Sequence, residues 1–262
     1  MGSIQLKEVE IRDHHKDTLI FVKKISTSIL SARKAVNSQL LFDNITIENA
    51  YYYMKTYKGE TTDNMGIFID SFKSDKPKDS LAPPFILKAS NIYVENLNFR
   101  ITDLNKDREL RFSASNTGGN LQNLIVNGAD FSSNIRGLYF KTNQGLKVSN
   151  LTTNYSYTKT AMNFKNTVLE TKDSKVIGDI VFNYKREDLA NFIDKVKITG
   201  NFDKSKLKVQ DLKKFYNELS GEDIISFSGK IKGLLNDFTL KNLILSTQKG
   251  IKVNGDLAFK NA

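Results

Sequence analysis

The chain has 262 residues with 39% hydrophobic content and no cysteine, enough apolar material for one large or two ordinary domains and a composition that excludes disulfides, thiolate chemistry and cysteine zinc sites. The formal net charge is +10, yet the lysines fall singly at outward strand positions such as Lys230 and Lys232, so a solvated face is expected and nucleic acid is not an expected partner. No stretch approaches the ~18 continuous apolar residues of a transmembrane helix, and no signal peptide opens the chain.

Met1, Gly2 and Ser3 read as a leader. Strand-like alternation already runs at Ile4 and Leu6 and still runs at Leu257 and Phe259, the pattern expected of a segment of something longer. The only histidines, His14 and His15, are adjacent in DHHKD (13–17). A turn is expected there, and because strand neighbours point to opposite faces the pair is poorly placed to share a metal; no metal site is expected. ILSARKAV (29–36) reads as a short helix. DNITIENAYYY (43–53) and SNIYVENLNFR (90–100) match as Asn-Ile-x-(Ile or Val)-Glu-Asn-apolar, with Asn44 answering to Asn91. In each copy the apolar phase slips by one after Glu-Asn, from Ile45 and Ile47 to Ala50 and from Ile92 and Val94 to Leu97 and Phe99. A two-residue hairpin or a bulge after Glu48 and Glu95 would each produce that slip. Asn-Leu openings recur at Asn123, Asn150 and Asn242. Between the copies, Asp63 or Asn64 can cap MGIFIDSF, where Met65, Phe68, Ile69 and Phe72 keep helical spacing. The run SDKPKDSLAPP (74–84) is the clearest loop, dividing a section 1–74 from a longer one, 85–262.

Further along, TGGN (117–120) reads as a turn. RGLYF (136–140) echoes an RNA-recognition strand but lacks the aromatic partner strand such a motif needs. The glycosylation-type triplets at Asn44, Asn150 and Asn154 occur at the frequency chance allows. KVIGDIVF (175–182) is nearly repeated as KVNGDLAF (252–259), with weaker copies in KITGNF (197–202) and SFSGKIK (226–232). Period-2 alternation puts Val176, Gly178, Ile180 and Phe182 on one face, and likewise Val253, Gly255, Leu257 and Phe259. Gly178, Gly200, Gly229 and Gly255 all fall on the apolar face, where a strand glycine marks a bend, a bulge or a close approach. Asp179 and Asp256 take the opposite, solvated face. Two further helices are expected, one carrying Leu189, Phe192 and Ile193, the other spanning 209–220 with Leu212, Phe215, Tyr216 and Leu219 and stopped by Gly221. Each has one apolar stripe and reads as a cap on the sheet. No nucleophile, base and orienter set, phosphate loop or paired glycine fingerprint occurs, so neither a catalytic residue nor a cofactor is expected.

The runs LKEVEIRDHHKDTLIFV, AYYYMKTYKGETTDN, NYSYTKTAMNF, KVIGDIVFNYKREDLANFIDKVKITGNF and VQDLKKFYNEL, in this order and spacing, resemble the N-terminal part of the TamB proteins of Bacteroidota-type bacteria, within the AsmA-like superfamily. The resemblance implies a long periplasmic protein of the translocation and assembly module, anchored in the inner membrane by an N-terminal helix. It implies a sheet rolled into a β-taco whose apolar groove carries phospholipid toward the outer membrane, and a partnership in outer-membrane biogenesis with a TamA-type barrel. Neither the anchor nor the barrel-binding domain is expected within these residues, so docking to either membrane is not carried over.

The expected fold is therefore mainly β, an elongated, repeating antiparallel β-groove with a few short capping helices. The expected lining for phospholipid acyl chains is Ile45, Ile47, Ile92, Val94, Phe99, Val176, Ile180, Phe182, Ile198, Phe202, Phe227, Ile231, Val253, Leu257 and Phe259, with curvature or room from the four glycines. Two alternatives stand beside it. The same residues can form an ordinary sandwich core, or the chain can be a structural or protein-interaction β-solenoid with a closed core, acting in outer-membrane protein assembly.

Overall fold

A computed structural model describes residues 3–29, 39–71, 86–128, 130–215 and 220–260. The described residues are mainly β, a single 13-stranded mixed sheet that is not closed, with strands lying side by side in chain order. The strands are β1 (Ser3–Arg12), β2 (Thr18–Ile29), β3 (Gln39–Thr56), β4 (Ile86–Asp103), β5 (Leu110–Asn127), β6 (Asp130–Thr142), β7 (Lys147–Tyr157), β8 (Ala161–Glu170), β9 (Lys175–Asn183), β10 (Lys197–Lys208), β11 (Ile224–Gly233), β12 (Asp237–Thr247) and β13 (Lys252–Lys260). Three short α-helices accompany them among the described residues, α1 (Asn64–Asp70), α2 (Phe192–Lys195) and α3 (Val209–Lys213), with a 3-10 turn at Arg186–Asn191. The expected loop at 74–84 and, beyond Ile29, the expected helix at 29–36 lie outside the described residues. The chain divides into two compact units, residues 1–128 with 139–143, and residues 129–138 with 144–262.

In the first unit β1, β2 and β3 pair antiparallel, as do β4 and β5, but β3 and β4 run parallel. A parallel pair needs a crossover between its strands, and α1 lies in the connection between β3 and β4. The two Asn-Ile repeats are thereby stacked like on like: Asn44 lies beside Asn91, Ile45 beside Ile92, Ile47 beside Val94 and Glu48 beside Glu95. The phase slip is a bulge and not a hairpin. Both strands continue through it, with Asn49 at φ 54° and Asn96 at φ 57°. Asp63 is the cap of α1, its Oδ1 accepting the Gly66 N–H at 2.8 Å. Asn64 is buried instead, accepting the Lys55 N–H and donating to Asp13 Oδ2, each at 2.8 Å. The TGGN turn is corrected: residues 117–120 lie inside β5. Gly118 is there for close approach, since a Cβ would stand 2.3 Å from Tyr139 Oη.

In the second unit β7 through β13 pair antiparallel in succession. The four glycine-bearing copies become β9, β10, β11 and β13, with β12 between the last two. The helix expected around Leu189, Phe192 and Ile193 is the 3-10 turn followed by α2, with Ile193 exposed. The helix expected over 209–220 is α3, which runs only over Val209–Lys213, with Phe215 beyond it exposed and Tyr216 and Leu219 outside the described residues. Val196, just after α2, is completely buried, and the Phe192 ring lies 5.3 Å from that of Phe182. In α3 Val209 is buried while Asp211 Oδ2 accepts the hydroxyls of Thr171 and Ser174 at 2.6 and 2.7 Å.

Bulges recur throughout. Among the described residues eight non-glycine strand positions have positive φ, and six are asparagines: Asn49, Asn96, Asn116, Asn123, Asn166 and Asn242, with Glu8 and Lys204 the others. Asparagine dominates because it tolerates the left-handed region best among side-chain-bearing residues. A bulge lets two inward residues sit three apart, as Phe164 and Thr167 do opposite Ile180 and Gly178, and it increases local twist and bends the strand. In the second unit the bulged amide of every second strand meets a side chain of the next one. Gly137 donates to Thr152 Oγ1 at 3.2 Å, Asn166 to Asp179 Oδ1 at 2.7 Å, Lys204 to Ser228 Oγ at 2.9 Å and Asn242 to Asp256 Oδ1 at 2.9 Å.

Candidate functional site

The register determines which side chains share a face. In the second unit one transverse row reads Tyr155, Phe164, Ile180, Gly200, Ile231, Leu240 and Leu257. A neighbouring row reads Met162, Phe182, Ile198, Gly233, Phe238 and Phe259. Phe202 sits between Gly178 and Gly229, Val176 pairs with Leu169, and Phe227 and Val253 both pair with Leu245. All the expected lining residues of this unit therefore share one face. The row one residue over, Asn163, Val181, Thr199, Lys232, Thr239 and Ala258, is mostly polar and takes the other face.

The first unit has the same construction. Ile4, Thr27, Ile45, Ile92 and Leu121 form one row, Leu6, Ile25, Ile47, Val94 and Gly119 the next, and Ile11, Ile20, Tyr52, Phe99 and Ala114 another. Ile45, Ile47, Ile92, Val94 and Phe99 are thus brought together on one face of this unit.

These faces are apolar without being closed. Of the expected lining only Ile92 and Ile198 are buried; the others are half-buried, except Leu257 and Phe259, each 39% exposed. A packed sandwich core would bury such residues almost completely. Aromatic rings run along the face of the second unit, Phe131 to Tyr155 at 5.7 Å, Tyr155 to Phe164 at 4.9 Å and Phe164 to Phe182 at 6.2 Å. Burial pushes the Tyr155 hydroxyl up to about 12 and that of Tyr52 likewise, so both rings stay neutral and suited to apolar company. The glycines do not all act alike. A Cβ on Gly178 would stand 2.3 Å from the Asn201 carbonyl oxygen, and on Gly200 2.9 Å from Ile231 Cγ2, whereas at Gly255 it would meet nothing within 4 Å. At the first two positions glycine permits strand and ring to close in.

On the polar face Asp179 and Asp256 are partly exposed, as expected, but they are not idle. Each accepts a bulge amide and pairs with a lysine, Lys165 at 3.4 Å and Lys241 at 2.7 Å respectively. Periodicity alone misses Asn166, because no leucine follows it. The broader pattern apolar-x-Asn-(apolar or Thr) finds it together with Asn49, Asn96 and Asn242.

A second constellation lies in the first unit. DHHKD is the expected turn, closed by Asp13 Oδ1, which accepts the His15 and Asp17 amides at 3.0 Å each. The expectation that His14 and His15 diverge is corrected, since strand alternation does not apply in a turn. Their Nε2 atoms converge on Glu60, His14 at 3.0 Å from both carboxylate oxygens and His15 at 2.7 Å from Oε1. Beneath them Tyr57 donates toward Asp13 Oδ2 at 2.8 Å and Asp17 Oδ2 at 2.7 Å, and Lys55 pairs with Asp17 at 2.6 Å. Burial and the two carboxylates push the Tyr57 hydroxyl well above its ordinary range.

No protein-family model matches the chain, and no curated protein matches it. No helix of the described residues is long and apolar enough to cross a membrane.

Proposed function

We propose that this chain is a section of a periplasmic lipid conduit of the AsmA-like, TamB type, in which the apolar sheet face carries phospholipid acyl chains between the inner and outer membranes. The observation that carries the reading is the run of half-exposed apolar rows, Ile180 to Leu257 and Phe182 to Phe259, on one face of an open sheet. Moving an acyl chain into water costs about 0.8 kcal/mol per methylene, so a 16-carbon chain costs roughly 12 kcal/mol. A continuous apolar surface removes most of that barrier, and repetition of one strand pattern lengthens such a surface at no new design cost. The sequence resemblance points the same way. It supplies the proposed setting, an inner-membrane anchor and a TamA-type barrel partner carried by other parts of a parent protein.

The test is native mass spectrometry of the chain purified from membranes in mild detergent. The expected result is stoichiometric added mass in the phospholipid range. Bare polypeptide under those conditions would transfer the reading to the structural β-solenoid of outer-membrane protein assembly.

A further inference from the structure

We propose that His14, His15 and Glu60 form a binding site for a divalent transition-metal ion of the zinc class, separate from the apolar face. The chain's only two histidines converge on one carboxylate, and one ligand atom from each of the three residues lies within 4.8 Å of the other two. Ligand atoms about 2.0–2.2 Å from a tetrahedral zinc are roughly 3.3 Å from one another. The observed contacts of 2.7 and 3.0 Å need to open by about 0.3–0.6 Å to admit the ion. Two imidazoles and a carboxylate suit zinc, nickel and copper better than magnesium or calcium. The side chains of His14, His15 and Glu60 are 27%, 45% and 28% exposed, so solvent can enter and a water can take the fourth position.

The ligands are held from beneath. The His15 ring lies 3.8 Å from that of Tyr57, and Tyr57 is tied in turn to Asp13 and Asp17. Asp13 closes the turn that carries both histidines. Glu60 is placed by Asn105, whose Nδ2 donates to the Glu60 carbonyl at 2.9 Å while its Oδ1 accepts the Gly59 N–H at 2.7 Å. The Asp13-closed turn and the Asn105 contacts thus fix the backbone that carries the three ligands. Charge adds an independent reason. Within the bonded cluster Asp13, Asp17 and Glu60 are opposed only by Lys55, a local excess of two negative charges in a chain of net charge +10. A divalent cation would neutralise that excess and staple the β1–β2 turn to the loop before α1.

The experiment is calorimetric titration of the full, tag-free chain with zinc chloride. One ion per chain is expected, and Glu60→Gln, His14→Ala and His15→Ala should each weaken binding by at least about tenfold, a loss that even outer-shell changes can reach. X-ray absorption on the zinc-loaded wild type needs no substitution and should report two imidazole ligands. A chain that takes up no zinc, an affinity unchanged in Glu60→Gln, or a coordination shell with fewer than two imidazoles overturns the proposal.

Discussion

Asn49 and Asn96 occupy the same place in two parallel strands, both in the left-handed region, and the Asn96 side-chain amide donates to Asn49 Oδ1 at 2.7 Å. The Asn91 amide donates to Asn44 Oδ1 at 3.1 Å in the same register. A repeated sequence pairs best in parallel with its own copy, because a bulge then meets a bulge and no ladder position is lost. Elsewhere a bulge must be met by a different device, and in β9 and β13 that device is the aspartate that follows the glycine.

The bulge rule predicts an unusual stabilising substitution. Lys204 holds φ 44° where asparagine stands in the matching bulges of β8 and β12. Lys204→Asn keeps the backbone N–H that Ser228 accepts and relieves the strain, so urea unfolding should show a gain of about 0.5–1 kcal/mol. Removing the asparagine from the matching bulge of β12, Asn242→Ala, should cost about 1–2 kcal/mol, with Asn242→Gly close to neutral. A destabilising Lys204→Asn would count against the strain argument.

Asp256 should make the stability of β12 and β13 depend on acid. The Lys241 ammonium at 2.7 Å and the Asn242 amide hold its carboxyl below the usual aspartate range, against a smaller opposing effect of lost solvation. A folded pKa below the unfolded one contributes stability that is fully present above the unfolded value of about 3.9 and is lost as pH falls through the folded value. The stability difference between wild type and Asp256→Asn should therefore be constant at neutral pH and shrink at acid pH. A carboxyl titration of Asp256 by NMR that gave an ordinary aspartate value would refute it.

The two close-packed glycines should differ in their tolerance of a methyl group. At Gly178 a Cβ meets a backbone carbonyl oxygen at 2.3 Å, which cannot yield, whereas at Gly200 the nearest atom is the Ile231 Cγ2 methyl at 2.9 Å, with the Asp179 carbonyl oxygen at 3.2 Å, so only a few tenths of an ångström must give. Gly178→Ala should cost about 2–3 kcal/mol and Gly200→Ala about 1 kcal/mol, as overpacking does. Equal costs, read from denaturant midpoints, would mean that the strand shifts to absorb both.

Much of the apolar face is legible in the sequence, because period-2 alternation depends only on the pleat. The rows through Ile180 and Leu257 follow from it directly, and so does the opposing row through Val181 and Ala258. Strand direction is not legible, since alternation reads the same either way; the parallel pairing of β3 with β4 needs the tertiary structure. A glycine pair is equally at home in a turn and beneath an aromatic ring, and only the tertiary structure, through pairing with β4 and the approach of Tyr139 to Gly118, makes TGGN part of a strand. The convergence of His14 and His15 depends on Glu60, a long way off in sequence, and no spacing rule joins a turn to a distant loop.

The face assignment itself can be tested by moving a charge one residue. Ile180 and Leu257 belong to one transverse row, while Val181 and Ala258 belong to the row on the other face. Ile180→Glu with Leu257→Glu places two carboxylates where acyl chains are proposed to pass, and they must be desolvated or draw water onto the face. Val181→Glu with Ala258→Glu adds the same charge to the same strands on the polar side. Because Ile180 is half-buried and Leu257 39% exposed, the inner pair should lower the melting temperature by only a few degrees more than the outer pair. Bound phospholipid, measured by native mass spectrometry, should fall by about tenfold or more in the inner pair and stay near wild type in the outer one. Outright unfolding of the inner pair alone would identify a closed core, for which an unpaired buried carboxylate is among the costliest changes. Equal loss of lipid from both pairs would mean that this face does not hold it.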